Sequence, residues 1–425
     1  LRYAQYRAAD GRMIPGRDFR ALWAAYTISI VGDWAYRLAI PLVVYDLTQS
    51  PFLMSLSYAA TFAPFIIVMP FGGVLADAVD RKRLLWIADF VSGCIALAIC
   101  LYLSLPGANA YWLMPGLAVL GAISSISHPA FQGFLPSTVP PQHLSRANSL
   151  ITTSDSVLNL VAPAIGGSLV ALLGAYNVLW LNAASFFLSM ALILIIRAQN
   201  PVGDGTLTLS VSSVLHGLGQ GLKTTIHYPI VKWGTFLFIL VNFSSHLILG
   251  NIIYFLTQDI GLSPELAGLA LGLSAIGAII GSLIAPKLMQ RVHPGRLMLA
   301  CVFVSAIGTA TLLLAEHLGF WGVVGARSIT MASEAVIVVT MFTERQRVVP
   351  TQYLSRVVAI TRTISYVPVP LAAMLGGYIL AMQSGNMSIV ILLSVIVLVT
   401  CVVIGIFTPF VKTRTDAILE QNVVV

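Results

Sequence analysis

Ionisable side chains that lie inside long apolar runs are the residues most able to do chemistry in this chain, because an unpaired charge in hydrocarbon is expensive to keep. Glu334 sits near the middle of such a run, with Arg327 seven residues earlier on the same helical face. A carboxylate at that depth must be paired, cavity-facing or protonated, which makes Glu334 the first candidate for a proton carrier. The competing reading is a permanent salt bridge to Arg327 or Arg362. Asp33 and Arg37 are four residues apart and share a helix face, so an intrahelical pair is available to them. That pair either lets the helix cross a membrane or exchanges one partner for a proton or a solute. Asp155 is the third candidate for proton coupling. Arg37, Arg327, Arg362, His246, Asn242 and His128 are the candidates for contact with a solute. A lone helical histidine is more often a neutral packing residue, so His128 and His246 carry both readings. Asn242, Ser244, Ser245, His246 and Asn251 form a polar stripe that serves either as interhelical glue or as a solute surface.

The elements that position these residues follow from composition. The chain has 425 residues, 58% apolar and 9% charged, with a mean hydropathy of +0.90. That is too little charge to cover a soluble surface, so lipid must solvate most of it. A crossing needs about 20 apolar residues, and counting apolar runs gives twelve candidate spans. They run approximately 20–46, 53–79, 83–104, 111–134, 146–173, 176–197, 231–257, 264–289, 295–315, 320–344, 355–381 and 386–410. The expected fold is an all-α integral membrane protein. Its divisions are an N-terminal segment 1–19, a six-helix bundle 20–197, a linker 198–230, a second six-helix bundle 231–410 and a tail 411–425. The linker holds an amphipathic piece, around residues 211–226, suited to the membrane surface.

Loop charges set the orientation. The N-terminal segment, Arg81–Arg83, Arg146, the linker, Lys287 with Arg291 and Arg296, Arg345 with Arg347 and Arg356, and Lys412 with Arg414 alternate onto one face. The opposite loops, near 50, 107, 175, 260, 317 and 384, contain no Lys or Arg. The excess of cations marks the cytoplasmic side, so both termini are expected there, in a multi-pass protein of the inner membrane. The net charge of +7 is spent in these loops, and no nucleic-acid-binding signature accompanies it. The first 20 residues include Arg2, Arg7, Arg12, Arg17 and Arg20, so no cleavable leader is expected.

The sequence repeats itself. Val139-Pro140-Pro141-Gln142-His143-Leu144-Ser145-Arg146 returns as Val349-Pro350-Thr351-Gln352-Tyr353-Leu354-Ser355-Arg356, an offset of 210 (356 minus 146). Gly166-Gly167 returns at Gly376-Gly377 with the same offset, and Tyr45-x-Leu47-Thr48-Gln49 returns at Tyr254-x-Leu256-Thr257-Gln258 with an offset of 209 (254 minus 45). Two parallel copies of one bundle, related by an axis along the membrane normal, suit a midplane site opened to each side in turn. Pro163, Gly166 and Gly167 in the fifth span, with Gly376 and Gly377 in the eleventh, are the expected hinge residues. Gly73 and Asp77 precede Arg81 and Lys82 at a membrane boundary, and with Asp89 they form the expected cytoplasmic latch.

Gly73, Leu75, Asp77, Arg81 and Lys82 resemble the loop signature of the major facilitator superfamily of transporters, with Ala78 and Asp80 departing from it. Ala162-Pro163-Ala164-Ile165-Gly166-Gly167 is similar to the Gly-Pro-x-x-Gly-Gly element of antiporter members, with Ala162 in place of the leading glycine. Phe19-Arg20-Ala21-Leu22-Trp23, Gly32-Asp33-Trp34, Pro41 through Thr48, Pro129-Ala130-Phe131-Gln132 and Arg146-Ala147-Asn148 resemble the branch that includes enterobactin exporters and macrolide-efflux-like proteins. The resemblance implies two six-helix halves and a monomeric secondary transporter of a siderophore- or drug-like small molecule. Proton antiport and export are the expected mode, and a proton-coupled importer or a lysolipid flippase of the same fold are the alternatives. No nucleotide-binding loop, metal-ligand cluster or catalytic triad is recognisable, so neither an enzyme nor a cofactor is expected, and no metal. Cys94, Cys100, Cys301 and Cys401 fall in apolar segments and read as small packing residues.

Overall fold

The computed structural model describes residues 16–140, 144–198, 211–382 and 386–411, and among them all regular structure is helical. In the first half the helices are α1 (Arg17–Thr48), α2 (Pro51–Ala78), α3 (Arg81–Leu103), α4 (Leu113–Phe134), α5 (Leu144–Leu173) and α6 (Ala175–Leu194). Helix α7 (Val211–His227) lies between the halves in sequence. The second half contains α8 (Pro229–Leu249), α9 (Ile252–Tyr254), α10 (Pro264–Arg291), α11 (Pro294–Thr311), α12 (Ala315–Val348), α13 (Thr351–Tyr366), α14 (Pro368–Met382) and α15 (Met387–Phe407). Eleven helical stretches among the described residues are long and apolar enough to cross a membrane. The 30-residue α5 is not one of those eleven.

Local chemistry explains where these helices start and break. Ser50 caps α2 by accepting from the Leu53 N–H, with Pro51 at the first helical position, and Ser263 caps α10 through Leu266 with Pro264 in the same place. Helix α12 kinks at Gly319, whose φ of 59° suits a residue without Cβ. The seventh crossing is interrupted at Asn251 and continues through α9 into a π turn, Phe255–Asp259. The eleventh is interrupted at Val367, where Pro368 and Pro370 remove two backbone donors.

The halves meet through two related contacts, α2 along α14 and α5 along α10. In the first, a Cβ on Gly377 would collide with Ser55 Oγ and lie 3.1 Å from the Pro51 carbonyl. In the second, a Cβ on Gly167 would come within 2.8 Å of Gly268 Cα and of the Pro264 carbonyl. The partner glycines face inward within their own halves, Gly166 onto Ala35 of α1 and Gly376 onto Leu247 of α8 and Asn251 just beyond it. Small residues thus let helices touch backbone to backbone where no aqueous hydrophobic drive pushes them together. The repeat-related Tyr45 and Tyr254 meet each other edge to face, ring centroids 5.4 Å apart, as two residues on a pseudo-two-fold axis must.

Burial is unequal at the two membrane faces. Near the loops that lack cations, one apolar core joins Val43, Leu117 and Val178 of the first half to Leu247, Tyr254, Ala270 and Val390 of the second. Near the cation-bearing loops each half keeps its own core, Phe19, Leu85, Phe134 and Ile193 in one and Ile230, Met298, Met341 and Phe410 in the other. The bundles therefore share packing at one face and part toward the cation-rich face.

Candidate functional site

Helix α1 carries Asp33 and Arg37 toward a polar cavity of the first half, where α3 brings Asp89 and α4 brings Ser124 and Ser127. Two adjoining pockets of about 90 and 230 Å³ share these residues and Ser29. The Ser189 hydroxyl donates to Asp89 Oδ2 at 2.6 Å. The Tyr36 hydroxyl lines the smaller pocket, buried and without a hydrogen-bond partner. The intrahelical pair expected for Asp33 and Arg37 does not form within 4 Å. The Arg37 guanidinium instead lies over the rings of Trp34, at 5.5 Å, and Phe62, at 5.9 Å. A weakly hydrated planar cation gains from aromatic faces, and Arg37 keeps only electrostatic range of Asp33. His128 lines the larger pocket.

Aromatic residues of α2 form the seam between the halves. Tyr58, Phe62 and Phe65 stack in sequence, with centroids 4.8 and 5.9 Å apart, and the His246 ring of α8 lies 6.4 Å from Tyr58 and 6.3 Å from Phe62. His246 Nδ1 is 2.8 Å from the Asn242 carbonyl, a contact in which the ring nitrogen donates. Phe62 thus neighbours both Arg37 and His246.

On the second-half side, the Ser245 hydroxyl donates to Glu334 Oε1. Neither of the salt bridges offered as the alternative for Glu334 is present within 4 Å among the described residues. Arg327 is 6% exposed, its Nε has no hydrogen-bond partner, and it stays in electrostatic range of Glu334 and Tyr58. Below this layer, α8, α12 and α13 enclose a cavity of about 380 Å³ lined by Asn242, Arg345, Thr361, Arg362 and Tyr366. The Asn242 side-chain amide donates to the Ser365 carbonyl at 2.9 Å and ties α8 to α13.

Asp89 stands apart from the other latch candidates. Asp89 does not join the Arg81–Arg83 turn; one turn of α3 after another carries it into the cavity, onto Ser189. Arg81 donates to the Gly133 carbonyl at 2.8 Å, at the end of α4, and Lys82 to the Ile196 carbonyl at 2.5 Å, just beyond α6. Cations there complement the negative ends of two helices. Gly166, Gly167, Gly376 and Gly377 are helix-contact residues, and α5 is assigned as helix throughout 144–173. Gly73 and the side chains of Asp77, Asp155 and Pro163 lie outside the described residues, although their helices are described.

Sequence reasoning overlooked Arg345, Tyr36 and the aromatic seam. Arg345 was counted among loop cations, yet it follows Glu334 by eleven residues, three helical turns, and so shares the face of Arg327 and Glu334. A second signal lay in the repeat: with the offset of 209, Asp33 maps onto Asn242 (33 plus 209) and Arg37 onto His246 (37 plus 209). The ionic positions of α1 have become the neutral polar positions of α8.

A family model described as transmembrane secretion effector matches residues 14–423. The MFS-type transporter YfiS of Bacillus subtilis (strain 168) is 27% identical over 272 residues, 64% of each chain, so the match spans less than two thirds of that relative. The MFS-type transporter y4rN of Sinorhizobium fredii is 27% identical over 395 residues, 89% of this chain and 91% of its own. Enterobactin exporter EntS of Shigella boydii is 28% identical over 300 residues, 69% of this chain and 70% of its own. Among solved structures, nucleoside transporter NupG superposes with a TM-score of 0.76 at 12% identity, covering 92% of this chain and 100% of that one. A bacterial homologue of the iron transporter ferroportin, in an inward-facing state, gives 0.72 at 16% identity, covering 92% and 98%. At such identities these two likenesses speak for the fold alone.

Proposed function

Because the chain belongs to the transmembrane secretion effector family of the major facilitator superfamily, a family of transporters and not of enzymes, we propose that it exports a bulky small organic molecule, siderophore- or drug-like, by proton-driven alternating access. The observation that carries this reading is Glu334, half-buried in α12 at the seam, hydrogen-bonded to Ser245 and without an ion-pair partner among the described residues. A carboxylate so placed can take a proton from one side and give it up on the other as its surroundings change. Asp33 and Asp155 serve beside it, and Arg37, Asn242, His246, Arg327, Arg362 and His128 contact the solute.

In this reading two six-helix bundles, 20–197 and 231–410, rock about the Tyr45–Tyr254 contact, with α5 as the twelfth crossing. The core common to both halves closes one face, and the separate cores at the cation-rich face leave an entrance there. The cation-rich face is cytoplasmic, both termini lie on that side of the inner membrane, and the protein acts as a monomer. Export is supported by the kinship with proteins named as enterobactin exporters.

The test uses the purified protein in vesicles with an internal pH dye and an imposed pH gradient, to which siderophores, macrolides and lysolipids are added. Proton movement opposite to the solute is expected for the wild type and is lost in Glu334→Gln. Protons moving with the solute would make the protein an importer, and solute flux with no proton signal would remove the coupling role from Glu334.

A further inference from the structure

Two cations face one cavity in the second half without a counter-charge in its wall. Arg345 stands one turn before the end of α12, and its guanidinium lies 4.7 Å over the Phe342 ring. It donates to Thr361 Oγ1 at 3.0 Å, its Nε has no partner, and it is 6% exposed. Arg362, about 16 Å along α13 from Thr351, lies 5.9 Å over the Tyr366 ring and in electrostatic range of Arg345. None of the described residues lining this space of about 380 Å³ is acidic. Glu344, the carboxylate next in sequence, accepts from Arg347 at 3.0 Å and does not line it.

Arg345 is buried and Arg362 stands exposed at the mouth of the cleft; holding a buried cation beside a like charge is unfavourable, and rings relieve it less than an anion would. The aromatic faces leave guanidinium donors uncommitted, and guanidinium forks match planar oxyanions. Phe238, Phe342 and Tyr366 supply apolar walls of a size that suits a single arene or a short acyl group. We propose that the cleft between α8, α12 and α13 is a docking site for an oxyanion carried on an apolar body, held by Arg345 and Arg362.

The cleft lies between the cation-rich face and the Glu334 layer, so a solute entering from that face reaches it first. Its use as a loading station rests on the transport reading above, whereas its ability to bind does not. The same chemistry can be supplied by a free organic anion or by an anionic lipid headgroup.

The probes are 1-naphthalenesulfonate and the uncharged 1-naphthalenemethanol, with binding to the full chain in phosphatidylcholine nanodiscs followed by thermophoresis. The sulfonate binds more tightly than the alcohol, and Arg362→Gln weakens it roughly tenfold, the scale of one charge-assisted hydrogen bond, while the alcohol is unaffected. Arg362→Lys recovers part of the loss, which a merely structural arginine would not. Because Arg345 is buried, Arg345→Gln is read beside its melting temperature, and Arg362→Gln alone suffices to decide. Replacing part of the lipid with phosphatidylglycerol separates the sources. A lipid occupant weakens sulfonate binding to the wild type but not to Arg362→Gln, and a free solute leaves both unchanged. Equal affinity for the two probes, or a sulfonate affinity indifferent to Arg362→Gln, overturns the proposal. The transport reading fails separately, if wild-type vesicles move no solute while sulfonate binding persists.

Discussion

The first half of the molecule keeps acids in its cavity, and the second keeps bases. Asp33 and Asp89 face one space on the first side, with Arg37 in the same wall against Trp34 and Phe62. On the other side Arg327 stays in electrostatic range of Glu334, and Arg345 and Arg362 line the separate cleft below it. The scaffolds are copies, down to the serine–proline starts of α2 and α10 and the glycine pairs that pack on them. Duplication therefore preserved the backbone contacts and let the cavity chemistry diverge. Packing at a helix crossing tolerates few residue types, whereas a cavity wall tolerates many.

The largest effect is expected at Glu334. Glu334→Gln keeps the shape and lowers proton-coupled flux on the order of 100-fold, the scale of losing a charge from a half-buried hydrogen-bonded site. Asp33→Asn lowers it by about tenfold. A vesicle pH-dye assay compares the two, and a larger loss at Asp33 would move the coupling to the acidic half and end the proposed division.

Next comes the shared scaffold. Gly167→Leu overpacks against backbone of α10 that cannot turn aside, and destabilises by about 1–3 kcal/mol. Gly377→Ala meets the Ser55 Cβ, which no rotation moves, but adds a single methyl in place of a leucine side chain and so costs less. Melting in detergent ranks them, and the reverse order would contradict the packing of the two interfaces.

A smaller change probes the divergence itself. Asn242→Asp restores in α8 the residue type of α1, but the carboxylate cannot donate to the Ser365 carbonyl, and the lost bond costs about 1–3 kcal/mol. Unchanged melting would show that Asn242 does not tie α8 to α13. The least effect belongs to Lys82→Ala, which uncaps the end of α6 and lowers stability by less than about 1 kcal/mol. A larger fall would make the basic turn more than a helix-end cap.

Sequence alone determined the membrane class, the helix positions and the duplication, because each is written in one dimension. Lipid demands long apolar runs, and a repeat shows as a fixed offset, as in Tyr45 and Tyr254. It also singled out Glu334, since a lone acid in an apolar run is visible without coordinates. Tertiary structure alone decided what these residues meet. Spacing made a partner of Arg37 for Asp33, but a ring from α2 competed for the cation and won. Distance along α3 placed Asp89 near the basic turn, yet Ser189, a hundred residues away, is its partner. Arg345 looked like a loop charge until α13 folded against it and brought Thr361 and Arg362 to the same cavity. Periodicity fixes which way a side chain points along its own helix; which neighbour stands there depends on how the helices pack.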